Sequence, residues 1–230
     1  MGTTETAPAA TSAHFRSGRS DCIGVPLPGV EVKLAPAGSK REIRVRGPNV
    51  TPGYYGRPDL TRAAFDDEGF YRTGDAVRLV ADDDPDQGLL FDGRLSEDFK
   101  LVTGTWVHVG KVRGALVAAA GVLSDAVIAG HDREQVGALA WLNSAEAERA
   151  SLDGRALREH LGQALAELNA GAGSAARVER LLLLDEPPSV DAGEITDKGY
   201  VNQRAVLERR SRDIERLFAE PVDEAVITPN

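Results

Sequence analysis

Glu68-Gly69-Phe70-Tyr71-Arg72-Thr73-Gly74-Asp75, followed by Gly88-Leu89-Leu90-Phe91-Asp92-Gly93-Arg94-Leu95-Ser96-Glu97-Asp98-Phe99-Lys100, is the stretch around which the 230-residue chain is organised. A polar turn closing on an aspartate ends the first half, and a short apolar strand runs into Gly93-Arg94 in the second. A carboxylate accepts hydrogen bonds from vicinal hydroxyls, and a guanidinium offers donors in a fixed fork. Together they suit a ribose beside a phosphate. Taken singly, Asp75 after a glycine reads as a solvated turn aspartate and Gly93-Arg94 as an ordinary strand exit.

Outward from that stretch the composition sets bounds. With 42% hydrophobic and 27% charged residues the chain is that of a globular protein of one or two domains, long enough for a real core. A formal net charge of −9 and the lack of a basic run argue against nucleic acid as a partner. A single cysteine, Cys22, leaves no internal disulfide or metal framework and points to a reducing, cytoplasmic setting. His14, His108, His131 and His160 lack ligand spacing. No apolar run reaches the length of a membrane span, and the first residues lack the order of a signal peptide.

Residues 1–20 carry no helical or strand period and read as a loop or frayed leader. Val30–Leu34 and Glu42–Arg46 alternate with period two, as half-buried antiparallel strands do, between turns rich in Gly and Pro. Asp82-Asp83-Asp84-Pro85-Asp86 lacks the glycine and closing glutamate of a calcium loop and reads as a solvated hairpin tip. Beyond the Arg94 region the pattern changes to α+β. A helix is expected over Val109–Ala120, strands over Asp125–Ala129, Val136–Leu142 and Val178–Leu184, and a helix from a Ser151 cap to Leu168 with a leucine face. A single amphipathic helix is expected from about Asn202, and a frayed last dozen residues.

In this order and spacing the motifs resemble the adenylate-forming enzymes: acyl-CoA synthetases, luciferases and the adenylation domains of peptide synthetases. Gly2-Thr3-Thr4-Glu5 is similar to the family's Gly-x-Thr-Glu motif. The resemblance implies that Thr4 contacts a nucleotide phosphate and that Glu5 helps to hold Mg²⁺, a hard cation that prefers carboxylate oxygen. It further implies Asp75 on the ribose hydroxyls of ATP or AMP, Arg94 on the nucleotide and Ser96 as hinge. Gly104 would lie on a loop facing coenzyme A, and Lys198 on the substrate carboxylate and α-phosphate. A lysine beside a glycine near a C-terminus otherwise reads as a solvated surface lysine.

Thr103-Gly104-Thr105-Trp106-Val107 and Gly193-Glu194-Ile195-Thr196-Asp197-Lys198-Gly199 resemble feruloyl-CoA synthase in particular. The implied reaction joins a carboxylic acid, ferulate or another hydroxycinnamate or aryl acid, to AMP and then to coenzyme A. The implied fold is a small β-rich subdomain over 1–93, a hinge at 94–96 and a mobile, compact α+β domain over 97–230. In that family the phosphate loop and most of the acyl pocket precede these motifs. The chain is therefore expected to be a C-terminal portion, inactive alone. Two further classes stay open: a non-catalytic module that keeps the fold, and an adenylation domain that delivers to a carrier protein.

Overall fold

The computed structural model describes residues 1–19, 21–196 and 199–230. The chain divides into two compact units, Met1–Ser96 and Glu97–Asn230.

The first unit is a six-stranded antiparallel sheet. Its strands are β1 (Thr11–Ser12), β2 (Cys22–Pro26), β3 (Glu31–Ala37), β4 (Lys40–Arg46), β5 (Tyr71–Ala81) and β6 (Asp84–Arg94), in the order β1-β2-β6-β5-β4-β3. Period-two alternation puts Ile43 and Val45 of β4 into a core with Ala10, Tyr71, Val77 and Leu89. Asp82 and Asp83 lie between β5 and β6 at the expected hairpin tip. The short helix α1 (Pro58–Ala64) begins on a proline, whose fixed φ suits a first helical turn.

The N-terminal stretch departs from the loose leader expected of it. Thr4–Thr6 form a 3₁₀ turn, the Met1 ammonium donates to Thr11 O at 2.8 Å, and Thr51 N donates to Glu5 O at 2.8 Å. The Asn49 side-chain amide donates to Thr6 O and Ala9 O at 2.9 and 2.7 Å. Thr6, Ala10 and Thr11 are buried. These partners are all distant in sequence, so no local period could announce them.

The second unit opens with the two-stranded β7 (Phe99–Lys100) and β8 (Trp106–Val107). Helix α2 (Val109–Ala120) follows, then β9 (Leu123–Ala129), β10 (Val136–Leu142), α3 (Ser144–Arg149), α4 (Gly154–Asn169) and β11 (Val178–Leu183). The sheet runs β11-β10-β9, with β10 parallel to β11 and antiparallel to β9. Both faces are covered, which is why its strands read as nearly continuous apolar runs. Ala126, Ile128, Ala138, Ala140 and Leu181 face a core with Leu116, Leu161 and Leu165 of α2 and α4. Val127, Ala129, Leu139, Trp141 and Leu182 face a second core with Val206 and Leu217.

The second unit differs from the expected pattern at three places. The long leucine helix starts at Gly154 after an Asp153 N-cap, and Ser151, at φ +56°, lies outside it. The expected helix from Asn202 is two helices, α5 (Gln203–Arg209) and α6 (Ser211–Leu217), broken at Arg210, whose side chain turns inward. Asn202 does cap the first, accepting from Ala205 N at 3.3 Å. The tail is ordered rather than frayed: Val226 and Ile227 are buried, Ile227 pairs with Leu181, and Asn230 Nδ2 donates to Glu159 O at 3.1 Å. An apolar pair at the end of a polar segment carries no periodic signal, although it fills the rim of both cores.

Candidate active site

Two glycines shape the Asp75–Arg94 region. Between the pairs Arg44↔Arg72 and Glu42↔Ala76, Thr73, Gly74 and Asp75 of β5 stand opposite the single residue Ile43. Gly74 takes φ +72°, left-handed backbone that a side chain disfavours, so the strand bulges there. On the other flank Asp75 pairs with Arg94 and Val77 with Phe91, which gives β6 one extra residue, and Gly93 at φ +92° absorbs it. The two bulges bring Asp75 and Arg94 opposite each other. Arg94 Nε stands 3.5 Å from Asp75 Oδ1; the Arg94 side chain is 57% exposed and that of Asp75 only 9%. A carboxylate thus lies just below the surface beside a guanidinium that reaches into solvent.

The bulge is held from behind. Thr73 Oγ1 donates to Ile43 O at 2.6 Å and accepts from Asp75 N at 3.1 Å. Leu95 N donates to Gly74 O at 2.9 Å, tying the exit of β6 to the same turn. Glu42, buried, accepts from Gly74 N at 3.2 Å and from Arg44 Nε at 2.7 Å. Arg44 also reaches Asp66 at 3.0 Å, and Asp66 accepts from Phe70 N and Glu68 N at 2.9 and 3.1 Å. Desolvation opposes ionisation of Asp66, yet the Phe70 amide, Arg44 and Lys33 hold its carboxyl far below the ordinary range. Sequence reading gave Glu42 no part, because a charged residue in an alternating strand reads as solvent-facing. The available signal was Arg44, two residues on and therefore on the same face.

Glu5 lies on the 3₁₀ turn with its carboxylate accepting from Tyr54 OH at 2.9 Å. Burial pushes the Glu5 carboxyl up, but its own backbone amide and the Tyr54 hydroxyl outweigh that and keep it below the usual value. Tyr71, four residues before Asp75 on β5, joins this group, and burial pushes its phenol up. Thr4, beside Glu5, is exposed. Among the described residues no three His, Cys, Asp or Glu side chains are grouped to hold a metal. The Glu5 carboxylate is an oxygen donor of the kind that hard cations take.

Ser96 is the last residue of the first unit. Gly104 lies between β7 and β8, where Gly104 N donates to Leu101 O at 2.8 Å and Leu101 N to Thr105 O at 3.0 Å. Lys100 Nζ sits 5.0 Å from the centre of the half-exposed Trp106 ring. Asp98 accepts from Val109 N at 3.1 Å and stands 2.9 Å from His108 Nδ1, fixing the start of α2. Lys198 lies outside the described residues. The structure thus brings Asp75 and Arg94 together and groups Glu5 with Tyr54 and Tyr71.

The sequence profile of the AMP-binding enzyme C-terminal domain matches residues 98–221, just over half of the chain. The chain belongs to this family of adenylate-forming enzymes. A chloroplastic long-chain-fatty-acid–[acyl-carrier-protein] ligase of Arabidopsis thaliana is 26% identical over 234 residues, 95% of this chain and 32% of its own. The carboxylic acid reductase of Segniliparus rugosus is 29% identical over 78% of this chain and 15% of its own. The solved adenylation domain of that reductase, in complex with AMP and a co-purified carboxylic acid, superposes with a TM-score of 0.75 at 24% identity. The match covers 96% of this chain and 35% of that domain. The O-succinylbenzoate coenzyme A synthetase of Bacillus subtilis, in complex with AMP, gives a TM-score of 0.64 at 20% identity over 88% of this chain and 39% of its own. The α+β fold is that of the C-terminal domain of adenylate-forming enzymes. The chain spans about a third of the Arabidopsis ligase. No helix among the described residues is long and apolar enough to cross a membrane.

Proposed function

We propose that the chain serves an AMP-forming acid–thiol ligase whose acid is ferulate or another hydroxycinnamate or aryl acid. A carboxylate oxygen attacks the α-phosphorus of ATP, the bond to the β-phosphate breaks, and pyrophosphate leaves. The thiol sulfur of coenzyme A then attacks the acyl carbonyl, and AMP leaves with the oxygen that linked them. Asp75 takes the ribose hydroxyls, Arg94 the nucleotide, Thr4 a phosphate and Glu5 the Mg²⁺. Lys198 neutralises charge at the α-phosphate while carboxylate and phosphate approach. Ser96 absorbs the backbone rotation between the two half-reactions, since a hinge needs only a residue tolerant of a large φ/ψ change, and Gly104 gives passage to the coenzyme A arm.

The observation that carries this reading is the placement of Asp75 opposite Arg94 by two glycine bulges on neighbouring strands. The choice of acid rests on Trp106 and the Glu194–Gly199 segment alone. A triphosphate needs several donors held together, and the pair at Asp75 and Arg94 provides few. The 230-residue chain alone is accordingly proposed not to make acyl-adenylate. Delivery to a carrier protein instead of coenzyme A is a second reading, favoured by the Arabidopsis relative named for that reaction.

The test joins this chain to the N-terminal domain of a relative and follows each half-reaction. Lys198→Ala lowers adenylate formation far more than thioester formation from supplied acyl-adenylate, because the charge it neutralises develops only in the first step. Asp75→Ala weakens ATP binding by roughly 1–3 kcal/mol, the worth of hydrogen bonds to a charged group. Equal losses in both half-reactions for Lys198→Ala, or unchanged ATP affinity for Asp75→Ala, refute the assignments. Thioester formed on a phosphopantetheinyl carrier but not on coenzyme A selects the second reading.

A further inference from the structure

Four residues before Lys198, Glu194 is completely buried. Arg210 grips it with a fork: Nε donates to Oε1 at 2.9 Å and Nη2 to Oε2 at 3.0 Å. Ser189 N donates to Oε2 at 2.8 Å, and Arg210 Nη2 also donates to Pro187 O at 3.1 Å. The guanidinium lies 5.7 Å from the Trp141 ring centre, at the break between α5 and α6. The helix is thus interrupted at the residue that reaches inward.

The backbone of Glu194 is equally fixed. Its amide donates to Ser189 O at 2.9 Å, and its carbonyl accepts from Asn202 N at 2.8 Å. Ile195 pairs with Val201, and Thr196 N donates to Tyr200 O at 2.8 Å. Among the described residues, 194–196 and 200–202 therefore pair as the two sides of a stem whose base is Glu194. Stability alone does not account for a charged pair at that base, because a well-packed apolar pair of like volume is often as stable or more so. A bidentate fork does what apolar contact does not: it fixes both position and orientation.

We infer that the Glu194–Arg210 fork is a positioning device for adenylate formation, holding the residues on either side of Lys198 in the sequence, 194–196 and 200–202. The inference rests on the role proposed for Lys198, and its consequences for the stem are separable from that role. Both residues are positioning residues, since neither is assigned to the substrate.

The test uses Glu194→Gln and Arg210→Lys, with the double variant Glu194→Leu/Arg210→Met removing both charges so that no buried ion is stranded. In the 230-residue chain, the amides of Thr196 and Asn202 exchange roughly tenfold faster in Glu194→Gln, while Leu139 in the sheet keeps its protection. Behind a relative's N-terminal domain, the same variant loses roughly tenfold to a hundredfold in kcat for adenylate formation, as a displaced group does. Its KM for ATP and its thioester step from supplied acyl-adenylate stay at the parent values. Arg210→Lys, which keeps the charge but not the fork, loses less than Glu194→Gln. Equal losses in both half-reactions, or full adenylation by the double variant, overturn the inference. A harmless Lys198→Ala refutes the role of that lysine instead, and amide exchange then decides whether the fork holds the stem.

Discussion

Replacing Gly74 with alanine probes the feature that aims Asp75. At φ +72° the backbone is left-handed, and a Cβ built there meets no atom within 4 Å. Collision therefore adds nothing, and the strain of an L-residue in that region, about 1–2 kcal/mol, is the whole expected loss. With a urea slope of about 1–2 kcal/mol per M, the midpoint of the first unit falls by roughly 1 M. Gly24 is the control: at φ +78° its Cβ would stand 2.0 Å from Ser12 O and 2.2 Å from Ala13 N, so β1 and β2 must part. Gly24→Ala is expected to be clearly worse. Far-UV circular dichroism follows the transition, with tryptophan fluorescence as internal reference, since Trp106 and Trp141 both lie in the second unit. A Gly74→Ala midpoint unmoved within error, or one as low as that of Gly24→Ala, refutes the bulge as the source of the strain.

Two further outcomes follow from the second unit. Deleting residues 225–230 removes the buried Val226 and Ile227, each worth about 1.5–3 kcal/mol of burial, and should lower the thermal midpoint markedly; an unchanged midpoint contradicts the ordered tail. Hydrogen bonding from Arg210 lowers the Glu194 carboxyl against the opposing effect of burial. The folded protein therefore favours the ionised form, and that stabilisation is complete above the unfolded value of about 4.3 and lost as pH falls through the lower folded value. Urea midpoints between pH 3 and 7 should show this loss in the parent and less of it in Glu194→Gln; parallel profiles contradict it.

The sequence was most legible where burial is periodic. Ile43 and Val45 gave β4, and the alternating faces of β9 and β10 appear as unbroken apolar runs because helices cover both sides. It was least legible where the partner is remote. Ala10 and Ile227 are buried by residues far away in the chain, and nothing local marks them. Buried charge was invisible for a different reason. Glu42, Glu194 and Arg210 carry side chains that ordinarily face water, and their charged partners, Arg44 for the first and each other for the last two, together with backbone hydrogen bonds, make burial tolerable. At the candidate site, the identities of Asp75 and Arg94 could be read from the motif. The means of bringing them together could not, because it lies in the left-handed φ of Gly74 and Gly93 rather than in any side chain.

The proposed nucleotide site is tested most directly by titrating AMP into the 230-residue chain and following its backbone amides by NMR. Weak, saturable binding, with a Kd on the order of millimolar, should move Thr73, Gly74, Asp75, Arg94 and Leu95, and Asp75→Ala should abolish those shifts. Shifts that persist in Asp75→Ala, that map away from the two bulges, or that never saturate would contradict a nucleotide site at Asp75 and Arg94.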